Sequence, residues 1–199
     1  MTVTEPRGYA NGRATRQVIL DEAMTLFGEV GYRSASLREI AARSGLSHPG
    51  LLHHFATKEA LLLAVLEHRD VEDGHRFGTD DEVGVEALRH LVDVVALNTT
   101  RPGIVELYCV LSAEATAHDH PAHAFFAARY VRTVGSVERS FADARAAGAT
   151  PPDLDPGTAA RELVALMDGL QVQWLLDREH VDMVAVLRAH LASRLTVPL

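Results

Sequence analysis

Apolar residues recur every three or four positions along almost the whole chain, whereas the two-residue alternation of β-strands between turn pairs is missing. This pattern predicts an all-α protein. It indicates about nine helices, at approximately residues 14–30, 36–43, 47–54, 57–73, 82–97, 103–117, 120–147, 156–177 and 181–195.

A polar stretch at residues 72–81 interrupts the pattern after the fourth helix. We place the domain boundary within that helix, close to its start. The prediction is an N-terminal three-helix domain over residues 1–58, with an arm over residues 1–13. A larger helical domain follows over residues 59–199.

Residues 36–46 predict a short helix that ends in a tight turn. Ser36 and Glu39 have the spacing of a capping box. In this motif the serine hydroxyl accepts from the N–H at the third helical position, and the glutamate side chain accepts from the N–H of the serine. Gly45 can adopt the positive φ that ends such a helix. Leu46 is expected to fill the core under the turn.

A second short helix is predicted to begin after Ser47, whose hydroxyl can cap it, with Pro49 in the first turn, where a missing N–H costs nothing. Leu51 and Phe55 are its predicted inward anchors. Two helices joined by such a turn form a helix-turn-helix, whose second helix enters the major groove of DNA.

Over about residues 14–65 the chain resembles the DNA-binding domain of the TetR family. The resemblance rests on Gly31-Tyr32, the capped helix with Ile40-Ala41, Gly45-Leu46-Ser47, His54-Phe55 and the segment Lys58-Glu-Ala-Leu-Leu62. It implies a contact to base or phosphate from Arg38 and a phosphate contact from Lys58. The whole DNA-binding surface that it implies consists of Arg33, Ser36, Arg38, Ser47, His48, Pro49, Gly50, His53, His54 and Lys58.

Two positions of the second short helix depart from the family pattern. Leu52 stands where the family usually has a tyrosine whose hydroxyl holds a phosphate, and Gly50 stands where a side chain often reads a base. Both departures predict fewer direct contacts to bases and phosphates, and a larger contribution of Arg38 and the histidines to operator recognition.

The net charge of −8 is distributed unevenly along the chain. Residues 1–58 hold seven basic and five acidic residues, whereas residues 59–199 hold 12 basic and 22 acidic ones. A mildly basic domain on an acidic body fits a protein that approaches DNA by one end. Lys58 is the single lysine, a composition typical of a GC-rich genome, and we expect an actinobacterial source.

The resemblance implies that the larger domain forms homodimers and binds a small molecule, with a palindromic operator as the DNA target. The last two helices are apolar on more than one side, which predicts the dimer interface there. Its predicted residues are Leu163, Met167, Leu170, Trp174 and Leu187. Predicted effector contacts are Asn98, Glu106, Tyr108, Ser112 and Glu114, with Thr116 and Arg129 as further polar candidates.

Other classes of site receive less support from the sequence. The run from His118 to His123 raises a metal hypothesis, but Pro121 interrupts it, and we expect a surface corner between helices and no metal. Cys109 lies in an apolar stretch, which predicts an inert thiol, and one cysteine excludes an internal disulfide.

The overall expectation is a ligand-responsive repressor. No nucleophile elbow, phosphate loop or dinucleotide fingerprint occurs, so we expect neither an enzyme nor a cofactor. No signal-peptide core or 18-residue apolar run occurs either, which predicts a cytoplasmic protein that does not enter the membrane. The alternative is a DNA-binding regulator without a small-molecule effector, controlled by a partner protein or by its own abundance.

Overall fold

The computed structural model describes residues 7–77 and 83–199, with side chains described over 12–72 and 83–199. Within these ranges the chain forms nine α-helices and no strand, which confirms the all-α prediction. The helices are α1 (Arg7–Ser34), α2 (Leu37–Arg43), α3 (His48–His54), α4 (Lys58–Phe77), α5 (Gly84–Thr99), α6 (Pro102–Glu114), α7 (His123–Ala146), α8 (Pro156–Leu176) and α9 (Met183–Arg194).

Two of the first four helices differ in length from the prediction. Helix α1 begins at Arg7, so the second half of the predicted arm is helical, and residues 1–6 lie outside the described part of the chain. Gly31 has non-helical dihedral angles (φ 77°, ψ 159°), so the regular helix ends there as predicted, and a further helical segment after the kink extends α1 to Ser34. Helix α4 continues to Phe77 through the first part of the polar stretch, because polar residues do not by themselves end a helix.

Two compact units divide the chain, Met1–Asp70 and Val71–Leu199, and their boundary lies within α4. In the first unit, α1 packs on α2 and α2 packs on α3. The head, as we call this unit, has a core of fully buried side chains from α1 to α4. It includes Ile19, Leu26, Phe27, Ile40, Leu51, Leu61 and Leu62.

The second unit, which we call the body, is built around α7 and α8. These helices pack on each other, α5 packs on α7, α6 packs on α8, and α9 packs on α5 and α8. Asp155 and Asp182 begin α8 and α9 by accepting hydrogen bonds from Thr158 N (2.8 Å) and Ala185 N (2.9 Å). The Thr158 hydrogen bonds lower the pKa of Asp155.

The predicted corner between α6 and α7 is confirmed. Helix α6 ends at Glu114 and α7 begins at His123, so the histidine-rich run lies in the turn over residues 115–122 and at the start of α7. None of the helices in the described ranges is both long and apolar enough to cross a bilayer.

Candidate functional site

The turn between α2 and α3 sets the direction of the second short helix. Gly45 has φ 69°, as predicted, and its N–H donates to Ala42 O (3.1 Å) while Leu46 N donates to Ala41 O (2.8 Å). This pair of bonds is a Schellman motif, which needs the left-handed conformation that glycine adopts most easily. Leu46 is only half-buried, so the prediction that it fills the core was wrong.

Helix α3 is capped and anchored as predicted. Ser47 Oγ accepts from Gly50 N at 3.2 Å, and Leu51 and Phe55 are buried. The guanidinium of Arg16, on α1, lies 4.9 Å from the centre of the Phe55 ring. Sequence reasoning missed this contact because no local pattern joins residues 39 positions apart.

The outer face of α3 carries the residues that sequence analysis proposed for DNA. Ser47, Pro49 and His53 are exposed, and the others are half-buried, so none of them is locked inside the core. The half-buried members are His48, Gly50 and His54. A Cβ on Gly50 would lie 3.2 Å from the capping oxygen of Ser47, so a larger residue there would press on the cap.

Helix α2 begins differently from the predicted capping box. Ser36 Oγ accepts from Arg38 N (3.2 Å), the second helical position. Glu39 does not complete the box, because its carboxylate accepts from Arg43 Nη2 (2.9 Å). Arg43 also donates to Glu29 (2.8 Å), and these two hydrogen bonds raise its pKa.

Arg38 is the basic side chain of α2 that faces solvent without being used by the head itself. It is exposed, and within the described ranges its guanidinium has neither a hydrogen-bond nor an ion-pair partner. Arg43, by contrast, is held between two glutamates. The structure therefore leaves the charge of Arg38, and not that of Arg43, available to a phosphate or a base.

Lys58 ties the start of α4 to the end of α1. Its Nζ donates to Arg33 O (3.0 Å) and lies 4.7 Å from the centre of the Tyr32 ring. Burial lowers the pKa of Lys58, and Glu59 partly opposes this. Burial and Glu59, which accepts from the Tyr32 hydroxyl (3.4 Å), raise the pKa of Tyr32 to about 12.

The predicted effector residues differ in burial and in their contacts. Tyr108 is buried edge-on to Phe126 (5.9 Å between ring centres), and the Arg129 guanidinium lies 5.2 Å from the Tyr108 ring centre. Asn98 is also buried, but its side chain accepts from Arg101 (3.1 Å). Glu106 and Thr116 are exposed, and Glu114 lies beside His120 in the turn after α6.

Ser112 belongs to a polar cluster that sequence reasoning missed. The cluster, defined here as Ser112, Tyr130 and Asp168, joins α6, α7 and α8, with the Tyr130 hydroxyl donating to Asp168 Oδ2 at 2.8 Å. Burial and the hydrogen bond to Asp168 raise the pKa of Tyr130 to about 12. Burial also raises the pKa of Asp168, although the hydrogen bond from Tyr130 and the charge of Arg129 act in the opposite direction. A hydroxyl and a half-buried carboxylate of this kind can hold a polar group of a ligand.

Cys109 lies near the same cluster. Burial, reinforced by Asp168 and Glu106, raises the pKa of its thiol to about 11. A thiol with so high a pKa is a poor nucleophile at neutral pH, which agrees with the expected inert cysteine.

Most of the predicted dimer residues belong to the core of a single chain. Leu163, Leu170, Trp174 and Leu187 are buried within the body, and Met167 is half-buried against the same core. Leu163 and Leu187 are completely buried in one chain, so their selection as dimer-interface residues was wrong. Apolar periodicity marks the side of a helix that packs on its own chain as readily as the side that meets a partner.

A different face of α8 and α9 is apolar and exposed. Val172 is 49% exposed and Leu176 is 83% exposed on α8, and Val186 is 42% exposed on α9. Exposed small residues accompany them. We call this surface the α8–α9 apolar face; it comprises Ala165, Val172 and Leu176 with Ala185, Val186 and Ala189.

Comparison with protein families gives two matches that together cover most of the chain. Residues 19–65 match the model of bacterial regulatory proteins of the tetR family, and residues 84–196 match the model of the C-terminal domain of BetI-type transcriptional repressors. The HTH-type transcriptional regulator UidR of Escherichia coli K12 is 29% identical over 157 residues, which cover 78% of this chain and 79% of that protein.

Solved structures share the fold. A transcriptional regulator from Saccharomonospora viridis in complex with choline superimposes with a TM-score of 0.78, at 22% identity, over 92% of this chain and 98% of that one. The SmeT–triclosan complex superimposes with a TM-score of 0.76, at 24% identity, over 93% of this chain and 95% of that one.

The Ser47 cap yields a prediction that does not depend on any ligand. Ser47→Ala removes the acceptor of the Gly50 N–H, and loss of such a cap destabilises a helix by about 1 kcal/mol. We expect faster hydrogen exchange at Gly50 and Leu51, measured by NMR on the free protein. Ser47→Thr keeps a hydroxyl acceptor and is the matched control, and equal protection in the two variants would contradict the assigned cap.

Proposed function

The chain belongs to the TetR family of bacterial regulatory proteins, and we propose that it is a repressor that binds a palindromic operator as a homodimer. A small molecule that binds the body releases it from DNA. The observation that carries the proposal is the exposed outer face of a capped α3, packed on the helix that carries Arg38, in a chain that matches both family models. Among the residues that the structure describes, the Arg38 guanidinium has no partner.

DNA contact in this proposal uses the residues that the head leaves exposed. The outer face of α3 enters the major groove, with Ser47, His48, Pro49 and Gly50 at its N-terminal end and His53 and His54 further along. Arg38 and Ser36 reach a base or the backbone from α2, and Arg33 lies close by. Lys58 contributes its charge near a phosphate while its Nζ also holds the end of α1.

Dimerisation uses the α8–α9 apolar face. Val172 and Leu176 are large apolar side chains in contact with solvent on one chain, and the small residues Ala165 and Ala189 permit close approach of a second chain. A second copy is the partner that a symmetric operator requires, since two recognition helices about 34 Å apart read successive major grooves.

Helix α4 provides the covalent connection between DNA binding and effector binding. It runs as one helix from Lys58 to Phe77, and the boundary between head and body lies inside it. A change in the body that reorients α4 therefore changes the separation of the two heads in a dimer. Effector and operator then weaken each other by a reciprocal coupling, typically about 1–3 kcal/mol in allosteric proteins.

We place the effector against Tyr108 and the polar cluster of Ser112, Tyr130 and Asp168. The two structural relatives named above contain choline and triclosan, and both ligands are small molecules. Asn98, Glu106 and Glu114 remain proposed effector contacts, and Glu106 acts electrostatically on Cys109, beside this cluster. As a DNA-bound regulator the protein acts in the cytoplasm and has no enzymatic role.

The first prediction of this proposal concerns Arg38. Arg38→Ala removes an exposed charge that the head does not use, so operator affinity should fall by about 1–3 kcal/mol for each half-site that loses a base contact. Fluorescence anisotropy with labelled operator measures the loss, and sedimentation verifies that the dimer persists. Arg139→Ala, on the exposed side of α7, is the matched control. Unchanged operator affinity in Arg38→Ala would remove Arg38 from the interface.

The second prediction concerns the dimer. Val172→Glu places a charge on the α8–α9 apolar face, and burying that charge in an interface is unfavourable. We expect sedimentation velocity to show monomers at concentrations where the unmodified protein is dimeric, together with loss of operator binding. Val131→Glu makes the same substitution at an α7 residue that is 75% exposed, and it should remain dimeric. A dimeric Val172→Glu variant would place the interface elsewhere.

The third prediction separates the effector-controlled regulator from its alternative. Compounds, with choline and triclosan among them, are first screened for a rise in melting temperature of the protein, and operator affinity is then measured with each binder. At least one binder should weaken operator affinity, by about 5- to 150-fold for a typical coupling. Asp168→Asn should reduce that response and leave affinity without effector unchanged. If no compound that binds the body alters operator affinity, the regulator without an effector is favoured.

A further inference from the structure

The turn between α6 and α7 brings together two histidines that the repressor function does not use. His118 Nδ1 and His123 Nε2 lie 3.1 Å apart, and their ring centres are 4.6 Å apart. Successive turn hydrogen bonds, His120 N to Ala117 O (3.1 Å) and His123 N to His120 O (2.9 Å), fold the chain so that the two rings meet. We propose that His118 and His123 bind a divalent transition-metal ion, with Cu²⁺ as the preferred ion.

The protonation state of His123 supports this assignment. Its Nδ1 lies 2.7 Å from Ala115 O, and a carbonyl oxygen can only accept, so Nδ1 carries the hydrogen. Nε2 therefore accepts a hydrogen bond from His118 Nδ1–H at 3.1 Å. Binding of an ion by both rings requires the hydrogen of His118 to move from Nδ1 to Nε2, so that Nδ1 also presents a lone pair. Histidines that bind metals commonly donate their other N–H to a backbone carbonyl in this way, which fixes the ring and makes the ligating nitrogen more basic.

His120, the third histidine of the turn, faces another direction. Its Nδ1 accepts from Ala122 N (3.2 Å), so its Nε2 carries the hydrogen and faces Glu114 Oε2 at 3.8 Å. Both of its nitrogens are thus engaged outside the His118–His123 pair. The structure points to two imidazole ligands, with the remaining positions of the ion filled by water.

The ligand type indicates the class of ion. Imidazole nitrogen suits Zn²⁺, Cu²⁺, Ni²⁺ and iron, whereas Mg²⁺ and Ca²⁺ prefer oxygen ligands. Cu²⁺ also binds nitrogen ligands more strongly than the neighbouring divalent ions of its row.

The ion would join the turn to the start of α7. His118 lies in the turn and His123 is the first residue of α7, so bonds from the ion to both histidines restrain the turn against α7. A ligand that binds only the folded state stabilises it by mass action. The melting temperature of the body should consequently rise with Cu²⁺, and the single Trp174 on α8 reports that transition by fluorescence.

A tag-free full-length protein titrated with Cu²⁺ tests the proposal by calorimetry and electron paramagnetic resonance. We expect one ion per chain at this site with nitrogen hyperfine splitting from two imidazoles. His118→Ala and His123→Ala should each weaken binding by at least about tenfold and remove the two-nitrogen signature. His180→Ala, an exposed histidine paired with Asp177, is the matched control and should bind as the unmodified protein does.

Two results would overturn the site. One is unaltered Cu²⁺ binding in both the His118→Ala and His123→Ala variants. The other is loss of binding in His68→Ala alone, which would place the ion in the head, where His68 lies 3.7 Å from Asp21. Because His123 also holds Ala115 O, His123→Ala can disturb the turn, whereas the exposed His118 makes no such backbone contact, so His118→Ala alone suffices to decide.

Discussion

The burial of Leu51 and Phe55 is the constraint on which the DNA-binding surface depends. Helix α3 has seven residues, and isolated helices of about two turns are not stable in water. Its helical form is therefore maintained by these two anchors, the Ser47 cap and the Schellman turn at Gly45. With its inner face occupied in this way, the outer side chains of α3 apart from the Ser47 cap are available for contact with DNA.

Some basic side chains of the head are likewise used for contacts within the head and are less available to DNA. Arg43 pairs with Glu29 and Glu39, and Lys58 donates a hydrogen bond to the end of α1. Both residues therefore use their charge to stabilise the head. Residues 1–58 carry a basic excess of only two, and residues 59–70 cancel it, so the head as a whole holds as many acidic as basic residues. The body is strongly acidic. Binding by one head is consequently weak in electrostatic terms. In the dimer that we propose, two heads together provide the affinity that a single mildly basic surface lacks.

Local patterns in the sequence predicted the structure where local interactions decide it. The Ser47 cap, the positive φ at Gly45 and the ends of α8 depend on neighbours within a few residues, and they follow from residue types alone. Contacts between distant residues could not be found this way. Tyr130 and Asp168 are 38 positions apart, and neither belongs to a motif. The dimer residues failed for a related reason, since periodicity identifies an apolar side but not what covers it.

Helix α8 connects the two functions assigned to the body. Asp168 of the polar cluster and Val172 of the α8–α9 apolar face are one helical turn apart, and the inner side of the same helix carries the buried Leu163 and Trp174. Close-packed cores deform little, so a ligand that displaces Tyr130 or Asp168 moves α8 as a rigid element instead of compressing its neighbours. Such a shift of α8 directly moves the α8–α9 apolar face, because Val172 and Leu176 lie on the same helix. In the proposed dimer, effector binding therefore changes the geometry of the pair of chains along with that of one chain.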